Sequence, residues 1–147
     1  MRRWVAVITL AIFVSGALFF FLQIQNQSNE LHLHGNNYHI TVRRTETERQ
    51  KGLSGSDNLP KNDAMLFVFD DDSRWGIWMK DMKYPIDIVW LDNNKKVVYM
   101  VKDAQPASYP KIFIPDKDAR YVIELASGTI EQTDIKLGDL ASITSGL

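Results

Sequence analysis

W-G-I-W-M-K-D-M-K-Y-P-I-D-I-V-W-L, from Trp75 to Leu91, threads Lys80, Asp81 and Asp87 through a strongly apolar run. Tyr84–Leu91 has the alternation of a strand: Tyr84, Ile86, Ile88 and Trp90 fall on one face, and Pro85, Asp87, Val89 and Leu91 on the other. Both faces are largely apolar, so this strand is expected inside a core, with Asp87 at least partly buried. Gly76–Met82 reads as a second strand, with Gly76, Trp78, Lys80 and Met82 on one face. It ends within two residues of Tyr84, so the two segments are expected to be antiparallel neighbours.

Outward from this stretch the period stays that of strands. Ala64–Phe69, Lys96–Val101, Tyr121–Ala126 and Leu140–Ile143 are further candidates, with a turn at Asp92-Asn93-Asn94-Lys95. Leu31–Leu33 and Tyr38–Val42 flank Gly35-Asn36-Asn37 and predict a hairpin. Thr45–Lys51 predicts the clearest soluble helix. Thr45 and Glu48 have the spacing of a capping box, acidic residues lead, Arg49 and Lys51 trail, and Gly52 follows as a stop. So short a helix must be held by packing. Thr129–Gln132 is a candidate helical turn. Pro106, Pro110 and Pro115 exclude a central strand between Asp103 and Asp118, which reads as a long surface loop. The expected fold class is mainly β (α+β): a compact antiparallel β barrel or sandwich with one short helix, preceded by a single N-terminal transmembrane helix.

That last element rests on Trp4–Ile24, 21 residues without a charge. At 1.5 Å per residue such a helix reaches about 31 Å, the thickness of a hydrocarbon core. A cleaved signal peptide would have a shorter apolar region followed by a small-x-small site, which the flank Gln25-Asn26-Gln27-Ser28 lacks. Arg2 and Arg3 precede the run and no Lys or Arg follows until Arg43. The expected topology is therefore single-pass in the cell membrane, with the C-terminal domain extracytoplasmic. The division expected is 1–24 as signal-anchor, 25–30 as linker and 31–147 as the domain.

The 147 residues carry a net charge of −1, and without Arg2 and Arg3 the remainder holds 15 Lys+Arg against 18 Asp+Glu, a net −3. Nothing in this balance suits a nucleic-acid partner. With no cysteine the chain has no disulfide, thiolate metal site, Cys nucleophile or lipoprotein anchor.

Several residues could carry chemistry. Asp87 is a buried carboxylate that needs a cation or several donors; Lys80, Arg49 or nearby backbone N–H groups are candidate partners. It either pins the turn after Met82 or serves a ligand. Glu124 repeats the theme in Tyr121–Ala126, sharing a face with Val122 and Ala126. Two carboxyls with split pKa values could act as acid and base in hydrolysis. The plainer reading of Glu124 is an ion pair with Arg49 or Lys80. Trp78, Met79 and Lys80 either line a pocket or belong to the core. The ligand-binding hypothesis thus names Trp78, Met79, Lys80, Asp81, Asp87 and Glu124, with structural roles for Glu48, Arg49 and Gly52. His32, His34 and His39 could approach one another on the first hairpin, but no nearby carboxylate completes a zinc or copper site. Asp70-Asp71-Asp72-Ser73 lacks the glycine of a calcium loop, and Gly52–Ser56 misses the G-x-S-x-G elbow. No cofactor or metal is implied.

The series Thr45-x-x-Glu48-Arg49-x-x-Gly52-Leu53, Met65-Leu66-Phe67-x-Phe69 and Trp78-Met79-Lys80-Asp81-Met82-x-x-Pro85-Ile86-Asp87 resembles the domain of unknown function 192 family. Tyr121-Val122-Ile123-Glu124, Gly128 and Gly138-Asp139 fit the same pattern, so the resemblance runs from Tyr38 to Ile143. Ala64, where a glycine usually precedes the methionine, and Ser54, where methionine is common, depart from it. The resemblance implies a small, mainly β domain, often exported or membrane-anchored, with no established activity. The favoured reading is a membrane-anchored extracytoplasmic module that binds a small ligand or an envelope protein. The alternative is a hydrolase using the carboxylate pair Asp87 and Glu124.

Overall fold

The computed structural model describes residues 29–144, and the expected anchor, Trp4–Ile24, lies outside them. Among the described residues no helix is long and apolar enough to cross a membrane. In chain order the elements are β1 (Glu30–Leu33), β2 (Asn36–Arg43), α1 (Glu46–Lys51), β3 (Asp63–Ser73), β4 (Ile77–Trp78), β5 (Ile86–Leu91), β6 (Val97–Ala104), β7 (Ile112–Phe113), β8 (Ala119–Ala126), α2 (Thr129–Thr133) and β9 (Ala141–Thr144). A single 3₁₀ turn, Pro106–Ser108, follows β6.

Seven strands form one curled sheet in the order β6-β5-β8-β3-β2-β1-β9, and β4 pairs only with β7. The edges meet at one point, where Lys96 bridges Leu140 and Val97 N–H donates to the Asp139 carbonyl. The result is a mainly β half-barrel. It corrects the expected antiparallel barrel or sandwich with one helix in two ways. β2 and β3 run parallel, because the chain crosses over through α1 between them. α2 is a second short helix, entered through Gly128 at φ 82°.

Local chemistry explains the turns. The expected hairpin is present, but its turn is His34-Gly35 and Asn36 and Asn37 already belong to β2; both turn residues are at positive φ (46° and 78°). That is the backbone twist a two-residue hairpin prefers. His39 then faces Glu30 and not His34, while His34 bonds to Asp139 and His32 to Asn37, so the histidines do not converge. In the β5–β6 turn the Asp92 carboxylate accepts from the N–H groups of Asn94 and Lys96. Helix α1 has the full capping box: Thr45 Oγ1 accepts from Glu48 N–H, and the Glu48 carboxylate accepts from the N–H of Thr45 and Arg44. These backbone donors hold the Glu48 carboxyl down at about 2.

Every residue of β5 is buried, as befits a strand with β6 on one side, β8 on the other and both faces covered. Val89 and Leu91 join Ile123, Leu125, Leu31, Leu33, Val97 and Ala141 in one core. Val97 and Ala141 come from opposite edges of the sheet, so this is the face that the curl encloses. Ile86, Ile88 and Trp90 join Met65, Phe67, Phe69, Met79 and Val122 in a second core on the other face. Leu53, just after α1, and Phe113 of β7 pack there too.

Candidate functional site

The register of β5 against β8 decides where the two buried carboxyls go. Asp87 is opposite Leu125, and Ile88 is opposite Glu124. Asp87 therefore points to the enclosed face and Glu124 to the other. They do not share a cleft, which removes the geometry that paired-carboxylate hydrolysis needs.

Asp87 is wholly buried and wholly satisfied. One carboxylate oxygen accepts from Asp103 N–H at 2.8 Å, and the other from Ile130 N–H at 2.8 Å. Asp103 sits opposite it in an irregular stretch of β6, at φ 50°. Ile130 lies in the first turn of α2. The carboxylate thus ties three segments together, and its partners are backbone N–H groups rather than Lys80 or Arg49.

Glu124 has a different setting. It lies between Met65 and Ile88 in the sheet and is only 5% exposed. Its Oε2 has no hydrogen-bond partner within the described chain. Loss of water pushes its carboxyl up to about 8, against a smaller opposing pull from the Arg43 charge. Its burial favours the uncharged form.

Above Glu124 lies a cavity of about 400 Å³, within the size range of small-molecule sites. Helix α1 supplies one wall through Glu46, Arg49 and Gln50, three residues on one helical face. Arg49 is held firmly. Its guanidinium donates to the carbonyls of Arg44 and Val68, pairs with Glu46 at 3.1 Å, and lies 4.8 Å over the Phe69 ring. Its Nε is buried without a partner among the described residues. Phe69 stacks on Trp75 with centroids 4.2 Å apart, and the buried Trp90 fixes that loop by donating to the Trp75 carbonyl. Trp78, Ile112 and Ile114 line the cavity and are each 41–48% exposed, so they form its rim. Gly76 permits this rim: a Cβ there would lie 2.5 Å from Ile112 Cγ2.

The expected pairing of Gly76–Met82 with the Tyr84 strand is corrected. β4 keeps only Ile77 and Trp78, and it pairs with β7 from the Pro-rich segment. Trp78 and Glu124 therefore line one cavity, whereas Asp87 does not. Met79 is buried in the second core. Lys80 and Asp81 line a second hollow, which shares Trp78, Lys51, Gln50 and Ser54 with the cavity. Asp81 turns the chain at φ 55°, and its carbonyl accepts from Gly55 N–H. Gly52, at φ 47°, ends α1 and brings the chain beside Phe67.

Residues 29–143 match the model of the DUF192 family, described as "Uncharacterized ACR". The chain belongs to the DUF192 family. A UPF0127 protein of Thermococcus gammatolerans is 36% identical over 106 residues, which are 71% of this chain and 65% of that protein. The chain thus spans just under two thirds of that relative's length. A UPF0127 protein of Thermococcus kodakarensis is 33% identical over 114 residues, 75% of this chain and 69% of that one. Among solved structures, a Sinorhizobium meliloti protein labelled a suspected transcription regulator superposes with a TM-score of 0.75 at 21% identity, covering 79% of this chain and 93% of that one. A Novosphingobium aromaticivorans protein of unknown function gives 0.73 at 21% identity, covering 77% and 83%. These two likenesses speak for the fold alone.

For this DUF192 domain the sequence pointed to Trp78 and Glu124 but not to what joins them. Arg49 reads as a structural ion pair, and Trp75, Phe69, Ile112 and Ile114 carry no local mark of a cavity. One signal was available: a glycine between Trp75 and Ile77 is a point of close backbone approach.

Proposed function

We propose that this DUF192 protein is a membrane-anchored extracytoplasmic module that binds a small ligand in the cavity above Glu124. One observation carries the reading. A cavity of small-molecule size is walled by Phe69, Trp75 and Trp78 and takes two polar side chains, Glu124 and Arg49, into its lining. The aromatic walls supply apolar contact, and the polar pair supplies orientation. Arg2-Arg3 ahead of the uncharged run Trp4–Ile24 supports the anchored, exported placement.

The test is a thermal-shift and tryptophan-fluorescence screen of the full chain against a library of small polar metabolites. A true ligand raises Tm and changes the emission of the wild type, and does neither in Trp78→Ala or Glu124→Leu. Ligands that act equally on both variants place binding elsewhere. Protease added to intact cells, or to spheroplasts where an outer membrane exists, should digest the domain. Protection until the inner membrane is lysed overturns the topology.

A further inference from the structure

Most of the cavity wall is carbon. Leu53, Ile77 and Met82 line it together with the aromatic side chains, and Trp78, Ile112 and Ile114 form the half-exposed rim. The atoms that Glu124 and Arg49 leave unpartnered are buried within the chain, so the cavity surface does not present them. The rest of the Arg49 guanidinium is taken up by the carbonyls of Arg44 and Val68 and by Glu46. Burial favours the uncharged form of Glu124, so that side chain adds no charge to the wall. An apolar body enters such a space without giving up hydrogen bonds.

Two features choose among apolar bodies. Phe69 is already engaged by the Trp75 ring and by the Arg49 guanidinium, so the cavity has no pair of free aromatic faces between which a flat ring would lie. Aliphatic side chains and the adaptable Met82 fill much of the remaining wall, which suits a flexible chain. The polar part of the lining, Glu46, Gln50 and Lys51, belongs to the exposed side of α1, so a polar head has its place at the mouth. The second feature is the tether. Only residues 25–28 separate the uncharged run ending at Ile24 from Asn29. Fully extended, that stretch reaches about 18 Å. On the anchored reading, the nearest store of apolar chains is therefore the bilayer itself.

We propose, building on the anchored small-ligand reading above, that the cavity is a site for a single acyl chain. The chain lies against Trp78, Ile112 and Ile114, and its polar head stays at the exposed side of α1.

Photo-crosslinking of the full chain in phosphatidylcholine vesicles tests this. The probe is decanoate with a terminal diazirine, used either as the free acid or esterified in phosphatidylcholine. After illumination and digestion, the label should appear on the segments 75–82 and 112–114. Labelling by the free acid alone identifies a fatty acid as the source, and labelling by both probes identifies the lipid as well. Unlabelled decanoate should displace the label at least about tenfold better than 1-naphthoate, a flat carboxylate of similar carbon number; that margin equals the contact of about two methylenes. The double variant Ile112→Ser/Ile114→Ser, at two half-exposed positions, should keep its melting temperature and lose most of the domain label. Label confined to Trp4–Ile24 overturns the proposal, as does naphthoate competing as well as decanoate, or a domain label that the double variant retains. If the domain takes no label while library compounds still depend on Trp78 and Glu124, this inference fails and the small-ligand reading survives. If nothing in the library depends on them either, both fall.

Discussion

Asp87 and Glu124 sit one register step apart on adjacent strands, and both are buried, yet they face opposite cores and live in opposite conditions. On the enclosed face every oxygen of the carboxylate has a backbone donor at 2.8 Å. On the other face the carboxyl keeps one oxygen without a hydrogen-bond partner among the described residues, is pushed up to about 8, and lines a cavity. Burial is common to the two, so it does not mark function. Hydrogen bonding separates them. A carboxylate whose partners are all backbone N–H groups is a brace. A carboxyl left with an unpartnered oxygen beside a cavity is the one on which the proposed binding rests.

The sharpest way to break this contrast is through pH. The folded carboxyl of Glu124 lies at about 8, above its ordinary 4.5. Below pH 4.5 it is neutral in both states and costs nothing. Between 4.5 and about 8 the unfolded chain releases the proton while the folded chain keeps it, so stability falls as pH rises; above that it levels off. The loss across the window reaches up to about 5 kcal/mol, at 1.36 kcal/mol per unit. Urea unfolding of wild type and Glu124→Gln from about pH 5 to about pH 9 measures it. The glutamine variant should shed most of the slope. A wild-type slope retained in the variant would return Glu124 to the ranks of ordinary carboxylates.

The second effect belongs to the other face. Asp87→Ala removes two charge-assisted hydrogen bonds and strands the N–H groups of Asp103 and Ile130. The expected loss is about 3 kcal/mol, read as a lower urea midpoint with unchanged m-value. Ligand affinity of the variant that remains folded should not move, because Asp87 lines neither recess. A stable Asp87→Ala with weakened binding would reverse the roles assigned to the two residues.

Much of the brace could be read from the sequence, and much of the cavity could not, for a physical reason. The burial of Asp87 follows from a local fact, an acid in a strand apolar on both faces. The cap of α1 is equally local, written in Thr45 and Glu48. What escaped was pairing between distant segments. Adjacency in sequence suggested β4 against β5, but Trp78 is opposite Ile112 and β5 is filled on both sides by β6 and β8. Once β4 leaves the main sheet, Lys80 separates from Asp87 and Trp78 joins Glu124. The parallel step from β2 to β3 is likewise a tertiary choice that period-two alternation does not encode. The same alternation placed Asp87 and Glu124 on strands correctly, but only the register between those strands tells which face each one takes.

The smallest effect separates the two faces by their supports. Helix α1 buries none of its own residues and is held by its cap and by Arg49. It walls the Glu124 cavity and contributes nothing to the Asp87 brace. Thr45→Ala deletes the hydroxyl that accepts from Glu48 N–H, a loss of about 1 kcal/mol. In so short a helix that energy appears first as local opening rather than global unfolding. Amide exchange should accelerate at Arg49 and Gly52, whose N–H groups donate to the carbonyls of Thr45 and Glu48. It should stay slow at Asp103 and Ile130, whose N–H groups hold Asp87. Ligand affinity should fall a few-fold, because Arg49 must be ordered on binding. Exchange that accelerates equally at all four amides would mean that the two faces open as one cooperative unit, and that the cavity wall is no more adjustable than the brace behind it.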